Sequence, residues 1–518
     1  MKFLSFYFSI SLFVFLNFPF LVTAQINPNA FGYYQDALRY SQNQLIGTAR
    51  FQGVGGANTA LGGDISSAWS NPAGLGFCRK NEISFTPAFS VGVANADFLN
   101  EKTLDVKINP NLAQMGVVFV NNKGATQNLR SGAFAITFSR VENFQQRFTY
   151  SGINSNNSLI DYFLERNDQI TPWDDLNDES INGITTLDGL AYSTYLIIPT
   201  TEGDRGGNSY TSFITVSPTR QEETVSQTGA MNQWNISYGG NYRDKLFFGF
   251  ALGIRSFNYR QEKKYSEIVT GNGFELNQFT LNETYTQNGT GFNISTGFIY
   301  KPIPYLNLAI NVTSPTLFRI SDSYSADLTV DYNNYPFDDE FRNRVFVLDN
   351  EAEETSLIES EYSLLTPMRI QAGLAVFFGK RGFWSTDIEL LNYSSIFLFD
   401  SKPTFSFSGD NETIENLYGT VINFRTGLEL RFDHLRLRGG MAYFDDPIAQ
   451  KVDNINREKW YFTGGLGIRK AQKYIDFTLI FRNSEQVYQP YSLADGTAPI
   501  ADIKQTQVLS ALSFGFYF

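Results

Sequence analysis

The sequence predicts an all-β chain closed into a transmembrane antiparallel β-barrel of about fourteen strands, with long, partly helical extracellular loops. Three observations carry that expectation. Aromatic residues make up 16% of the chain, with 48 Phe and 28 Tyr, yet the mean hydropathy is only −0.22. Strands with one lipid face and one polar face average to such a value. Many segments alternate apolar and polar residues, and the links between them alternate between short and long. No apolar run of 18 or more residues follows the N-terminal stretch, so no transmembrane helix is expected.

The N-terminus reads as an address. Lys2 precedes the apolar stretch "FLSFYFSISLFVFLNFPFLV", and Val22 and Ala24 supply the small residues of a cleavage site before Gln25. Residues 1–24 are therefore expected to be a signal peptide. The single cysteine, Cys78, excludes an intrachain disulfide and lies too far downstream for a lipoprotein anchor.

The strand at 421–432 makes the barrel pattern plain. Ile422, Phe424, Leu428, Leu430 and Phe432 share one face, and Asn423, Arg425, Gly427, Glu429 and Arg431 share the other. The first face suits lipid and the second suits a polar lumen. About fourteen such segments follow one another from 81–93 to 504–518, an even number as bacterial barrels require. The links "YRDK", "KPIP", "GKRG", "FDH" and "RKAQK" are short and mostly basic, which assigns them to the periplasmic side. The links at 143–230, 320–356, 400–417 and 488–503 are long and read as outer loops, with 331–361 strongly acidic. The last strand ends in Phe514, Phe516 and Phe518, resembling the signal read by the barrel-assembly machinery.

Within 143–230, "NSLIDYFLERND" places Leu159, Ile160, Phe163 and Leu164 on one helical face. This large extracellular insertion is expected to fold as a cap outside the barrel mouth. Residues 25–80 precede the first strand, and 81–518 are assigned to the barrel. Within 25–80, "GTARFQGVGGANTALGGDISSAWSNPAGLGF" is too rich in glycine for helix and lacks strand alternation. So slim a segment fits back inside a wide lumen. Its backbone polar groups need partners there, which Arg255, Arg369, Asp387, Glu389, Arg425, Glu429 and Arg436 of the lumenal faces supply. Pro72 and Gly74 make a rigid corner with the Asn71 side chain free to hydrogen-bond, after a flexible run containing Gly55 and Gly56.

Residues 49–75 resemble the N-terminal hatch of the FadL/TodX family, outer-membrane transporters of long-chain fatty acids and other hydrophobic compounds. Asn71, Pro72 and Ala73 match that family's Asn-Pro-Ala motif. The resemblance implies a fourteen-stranded barrel plugged by a hatch, with Asn71, Pro72, Ala73, Gly74, Gly55 and Gly56 in gating. It implies uptake of a hydrophobic small molecule. Outer-membrane lipid, lipopolysaccharide and the assembly machinery are the expected contacts, and the outer membrane is the expected location. The alternative is a barrel component of protein secretion or surface assembly, like the shuttle proteins of type IX secretion, which carry a similar corner.

Other chemistry is not supported. A net charge of −12 argues against nucleic acid. "GVGGAN" lacks the third glycine of a dinucleotide fingerprint and the lysine of a P-loop. One histidine, His434, and one cysteine exclude a zinc site, and His434 sits in a periplasmic turn, unsuited to a catalytic triad. Neither enzyme activity nor a cofactor is expected.

Overall fold

The computed structural model describes residues 32–518 apart from 125, 201–206, 215–217, 272–274, 340–343, 401–405, 450–454 and 456. The expected signal peptide and residues 25–31 lie outside the described residues. Nineteen hydrogen-bonded segments form one sheet, and several of them continue one another, giving fourteen staves. These are β1 (Glu82–Phe98), β2 (Glu101–Asn122), β3 (Leu129–Asn143 and Gln146–Asn154), β4 (Thr219–Tyr242), β5 (Leu246–Val269), β6 (Leu276–Ile303) and β7 (Leu306–Thr313 and Leu317–Asp339). The remainder are β8 (Arg344–Glu354, Ile358–Leu365 and Arg369–Phe377), β9 (Gly382–Asn392 and Phe397–Phe399), β10 (Thr420–Phe432), β11 (Leu435–Phe444), β12 (Lys459–Arg469), β13 (Lys473–Tyr488) and β14 (Ala501–Tyr517). Neighbours pair antiparallel, and β14 closes on β1 from Phe98↔Ala501 to Glu82↔Tyr517. The barrel is closed, with no exposed sheet edge at its base.

The staves are far taller than a membrane requires. Nine to eleven residues cross a bilayer, whereas β5 has 24 residues and β6 has 28. β5 shows where the membrane ends. Phe250, Leu252 and Ile254 point outward and are exposed, whereas above them the outward positions are Ser256, Asn258, Arg260 and Glu262. At that level the inward face becomes rich in aromatic residues, with Phe257, Tyr259 and Tyr265 buried beside Lys263 and Glu267. Apolar residues thus face lipid below and the barrel interior above. An outward belt of this kind identifies an outer-membrane protein. Among the described residues no helix is long and apolar enough to cross a membrane.

This inversion corrects the reading of 320–356 as a loop. Leu317–Asp339 is strand throughout, paired with β6 on one side and with Arg344–Glu354 on the other. Its acidic outward positions obscured an alternation in which Tyr324, Ala326, Leu328, Val330 and Tyr332 are buried.

The insertion between β3 and β4 contains α4 (Leu159–Asn167), α5 (Trp173–Asn182) and α6 (Leu187–Ser193). Ser158 and Asp161 form a capping box that fixes the start of α4. The faces of these helices join an aromatic cluster with the upper wall, including Phe163, Tyr192, Tyr259 and Tyr332. Among the described residues the outer half of the lumen therefore carries a packed aromatic core.

Leu428 of β10 is an outward residue of the belt and 39% exposed. Leu428→Arg is expected to cost about 2–4 kcal/mol near the bilayer midplane. Reversible unfolding in lipid vesicles measures this, and an unchanged midpoint would show that Leu428 does not face lipid.

Candidate functional site: the lumenal segment and its wall

Residues 32–78 run down the inside of the barrel from the outer end to the base. Helix α1 (Tyr33–Ser41) lies at the top. The Tyr34 N–H donates to Asp410 Oδ1 (3.1 Å) of the outer helix α7 (Ser408–Leu417), and Tyr418 donates to the Tyr34 carbonyl (3.1 Å). Tyr40 stacks on Phe257 at 3.9 Å and donates to Gln287. Below α1 a strap, Ser41–Gln44, crosses the lumen. It is held by Arg369 at the Ser41 carbonyl and by Lys459 at Gln42 Oε1 (2.6 Å).

The glycine-rich stretch that follows is not free of helix, contrary to the sequence expectation. It forms short turns, α2 (Ala49–Gly53), α3 (Ser67–Ser70) and a 3₁₀ turn at Pro72–Phe77. Thr48 caps α2 through its side chain at the Phe51 N–H, and Asn71 caps the 3₁₀ turn at the Ala73 N–H (3.1 Å). Tertiary packing rather than propensity holds such short turns.

The wall supplies partners for this backbone. The Ala49 N–H donates to Ser513 Oγ (2.7 Å), and Thr478 Oγ1 donates to the Ala49 carbonyl (2.6 Å). The Thr59 N–H donates to Asp387 Oδ2 (2.8 Å), and Asn307 Nδ2 donates to the Ala60 carbonyl (2.8 Å). Ser237 Oγ donates to the Ala68 carbonyl (2.7 Å).

Glycines in the wall explain why the segment is slim. A Cβ at Gly249 would lie 2.3 Å from the Pro72 carbonyl carbon, and one at Gly297 would lie 1.9 Å from Asn71 Oδ1. Backbone thus rests on backbone at the Asn-Pro corner. Asn71 is fully buried, and its Nδ2 donates to the Thr59 carbonyl (2.7 Å), tying the corner to the run before it. Ala73 is also fully buried. Gly74 packs against Gly62, whereas Gly55 and Gly56 adopt φ of 63° and 75° between β10 and β11.

The charged wall divides into two groups. In the first, Glu389 pairs with Arg425 (2.9 Å) and stands 3.9 Å from Arg369. In the second, near the base, Glu429 pairs with Arg438 (2.7 Å) and Arg431 (2.8 Å), and Arg438 pairs with Asp476 (2.7 Å). Arg50 of the lumenal segment reaches this group at 3.6 Å from Glu429. Arg255 is buried on the lumenal face of β5. Arg436 is on the same lumenal face at the periplasmic mouth, where it lines a cavity with Arg50, Glu429 and Arg469 and donates to the carbonyls of Asp433 and Leu435. Arg438, two residues on, occupies the buried position. Arg50, Arg438 and Asp476 were not among the sequence candidates. Arg438 and Asp476 stand on the polar faces of two alternating segments, 433–444 and 474–482, and alternation by itself does not separate Arg438 from Arg436. His434 and Asp433 are exposed in the turn.

The comparisons agree on the fold. No protein-family model matches the sequence, and no curated protein matches it. Among solved structures, a Pseudomonas aeruginosa FadL homologue superposes with a TM-score of 0.52 at 11% identity, covering 92% of this chain and 100% of that one. The chain has the FadL fold. The P. putida toluene transporter TodX (TM-score 0.49, 12% identity, 92% and 99% covered) and the Ralstonia pickettii toluene transporter TbuX (0.47, 12%, 92% and 99%) are also similar.

Two features of this FadL-fold barrel bear on passage. The first is a break in the wall. β2 pairs with β3 only from Gln114↔Ser139 to Asn122↔Ser131, and above that level no backbone ladder joins them. β3 bulges between Arg140 and Glu142. The carbonyl of Val141 there accepts instead from the Gln44 N–H of the strap (2.9 Å), and that of Asn143 accepts from Gln44 Nε2 (3.2 Å). Higher up the staves meet again through side chains, Thr103 with the Thr149 carbonyl and Asp105 with Arg147. The outward face of β2 beside the break carries Leu104, Val106 and Ile108, which are 64%, 51% and 58% exposed. The second feature is a cavity of about 360 Å³ around the strap. It is polar, with Gln42, Gln44, Glu142, Lys459 and Arg482 in its lining.

Proposed function

We propose that the chain takes up hydrophobic small molecules across the outer membrane, long-chain fatty acids among the candidates, with residues 32–78 as its gate. The fold shared with a FadL homologue supports this reading. Aromatic packing between α1, the cap and the upper wall is the surface on which such a compound is captured. A segment that runs through the lumen from the outer end to the base disfavours an open polar porin.

The observation that carries the reading is Gln44 in the gap between β2 and β3. A strand carbonyl that has lost its ladder partner is costly to bury, and here the plug itself satisfies it. Moving the strap therefore opens the wall where its outer face is apolar. We place the exit there, sideways into the membrane, with Asn71, Pro72, Ala73 and Gly74 as the fixed corner below. Gly55 and Gly56 are the joints of the run that moves. The wall residues Arg369, Asp387, Glu389, Arg425 and Glu429 hold the closed state.

Thr103→Cys combined with Thr149→Cys, bridged by a short cleavable thiol cross-linker, tests the lateral exit. Uptake of a labelled long-chain fatty acid into cells is expected to fall severalfold on bridging and to recover on cleavage. Undiminished uptake would place the exit past the plug into the periplasm. Asn71→Ala is expected to leave surface levels normal and to change uptake severalfold. It removes one buried hydrogen-bonding side chain, a local cost of about 1–3 kcal/mol, which is enough to shift a two-state gate. Unaltered uptake would remove Asn71 from gating.

A further inference from the structure

Arg255 stands out among the buried cations. Its side chain is on the lumenal face of β5, and the residue is only 4% exposed. Its Nε donates to Gln233 Oε1 (2.7 Å). Among the described residues no carboxylate lies within ion-pair distance of it, whereas Arg369 and Arg425 share Glu389. Arg255, Arg369 and Arg425 line one small chamber of about 40 Å³ between the wall and the plug, together with Glu389, Asn43 and Trp69. The buried Trp69 indole N–H has no acceptor. Asp387, the other carboxylate of this part of the wall, accepts from the Thr59 N–H.

A guanidinium removed from water without a counter-charge is strongly disfavoured. The chamber holds more positive than negative side chains, and its size accommodates a single compact ion rather than a chain-bearing molecule. We propose that it is a binding site for one small anion of the size of chloride, held between Arg255 and Arg369. The anion neutralises Arg255 and leaves Arg369 oriented on the Ser41 carbonyl, so it fastens the strap that Gln44 anchors in the wall. The site is separate from cargo capture and stands or falls independently of the uptake reading.

Crystals of the full chain soaked in bromide are expected to show an anomalous peak between Arg255 and Arg369, lost in Arg255→Gln. In solution, amide exchange at 41–45 is expected to be severalfold faster in gluconate, whose anion is too large for the chamber, than in chloride. Arg255→Gln should remove that difference while retaining the barrel's heat-resistant migration in SDS. No bromide peak at saturating concentration would overturn the site. Displacement of bromide by micromolar long-chain carboxylate but not by acetate would overturn the assignment to a free anion and give the site to a cargo head group.

Discussion

Arg438→Met is expected to lower the unfolding free energy of the barrel by about 3 kcal/mol, the low end of the ~3–5 kcal/mol that breaking a buried ion pair costs. The Arg438 side chain is fully buried and bridges Glu429 on β10 to Asp476 on β13, each at 2.7 Å. Removing it leaves two buried carboxylates with fewer partners. The loss is at the low end because Arg431 still pairs with Glu429 at 2.8 Å and Arg469 with Asp476 at 3.2 Å. Arg436→Met is the control. Its guanidinium bonds backbone carbonyls at the rim, so the change is expected to stay within about 0.5 kcal/mol. Reversible denaturant unfolding in vesicles distinguishes the two, and equal effects would show that Arg438 is not the bridging residue.

Gly427→Arg is expected to leave the barrel folded and to unseat the plug. From the sequence alone this substitution reads as mild, since Gly427 is on the polar face. The structure changes that expectation. A Cβ at Gly427 would lie 2.2 Å from the Val54 carbonyl oxygen, and one at Gly440 would lie 2.3 Å from the Gly55 nitrogen. An arginine there occupies the volume of residues 53–56. Because the lipid face is untouched, assembly and SDS migration should be normal, while ion conductance in planar bilayers rises at least severalfold over wild type. Wild-type conductance would mean that the segment tolerates displacement from β10 and β11 without opening a path.

Where lipid sets the pattern, the fold was legible in the residues. Ile422, Leu428 and Leu430 alternate with Asn423, Arg425 and Glu429 because one side of β10 meets acyl chains and the other meets a polar interior. The short turns were legible for a related reason: Arg243 and Asp244 both adopt φ of 55° in the three-residue link between the paired Tyr242 and Leu246, and a compact polar link is all that such a turn needs. The height of the barrel was not legible. Above the membrane the apolar face moves inward, so Asp327 and Asp331 on the outward face read as loop. The plug's location followed from its slimness, but its contacts did not. Gln44 is one polar residue in a polar run, and only the bulge at Arg140–Glu142, a feature of a distant strand, gives it a role. Arg436 and Arg438 share a face of β11, so periodicity could not separate the rim from the interior.

On the proposed function, the plugged barrel passes hydrophobic compounds while remaining sealed to ions. Both properties are followed in one preparation, with purified protein in vesicles carrying an entrapped fluorescent fatty-acid binder and an ion-sensitive dye. Protein-dependent delivery of a long-chain fatty acid is expected with ion leakage no greater than in protein-free vesicles, and deletion of residues 47–77 is expected to make the vesicles leak. Ion leakage through the intact protein, or no fatty-acid delivery above the protein-free rate, would contradict that function.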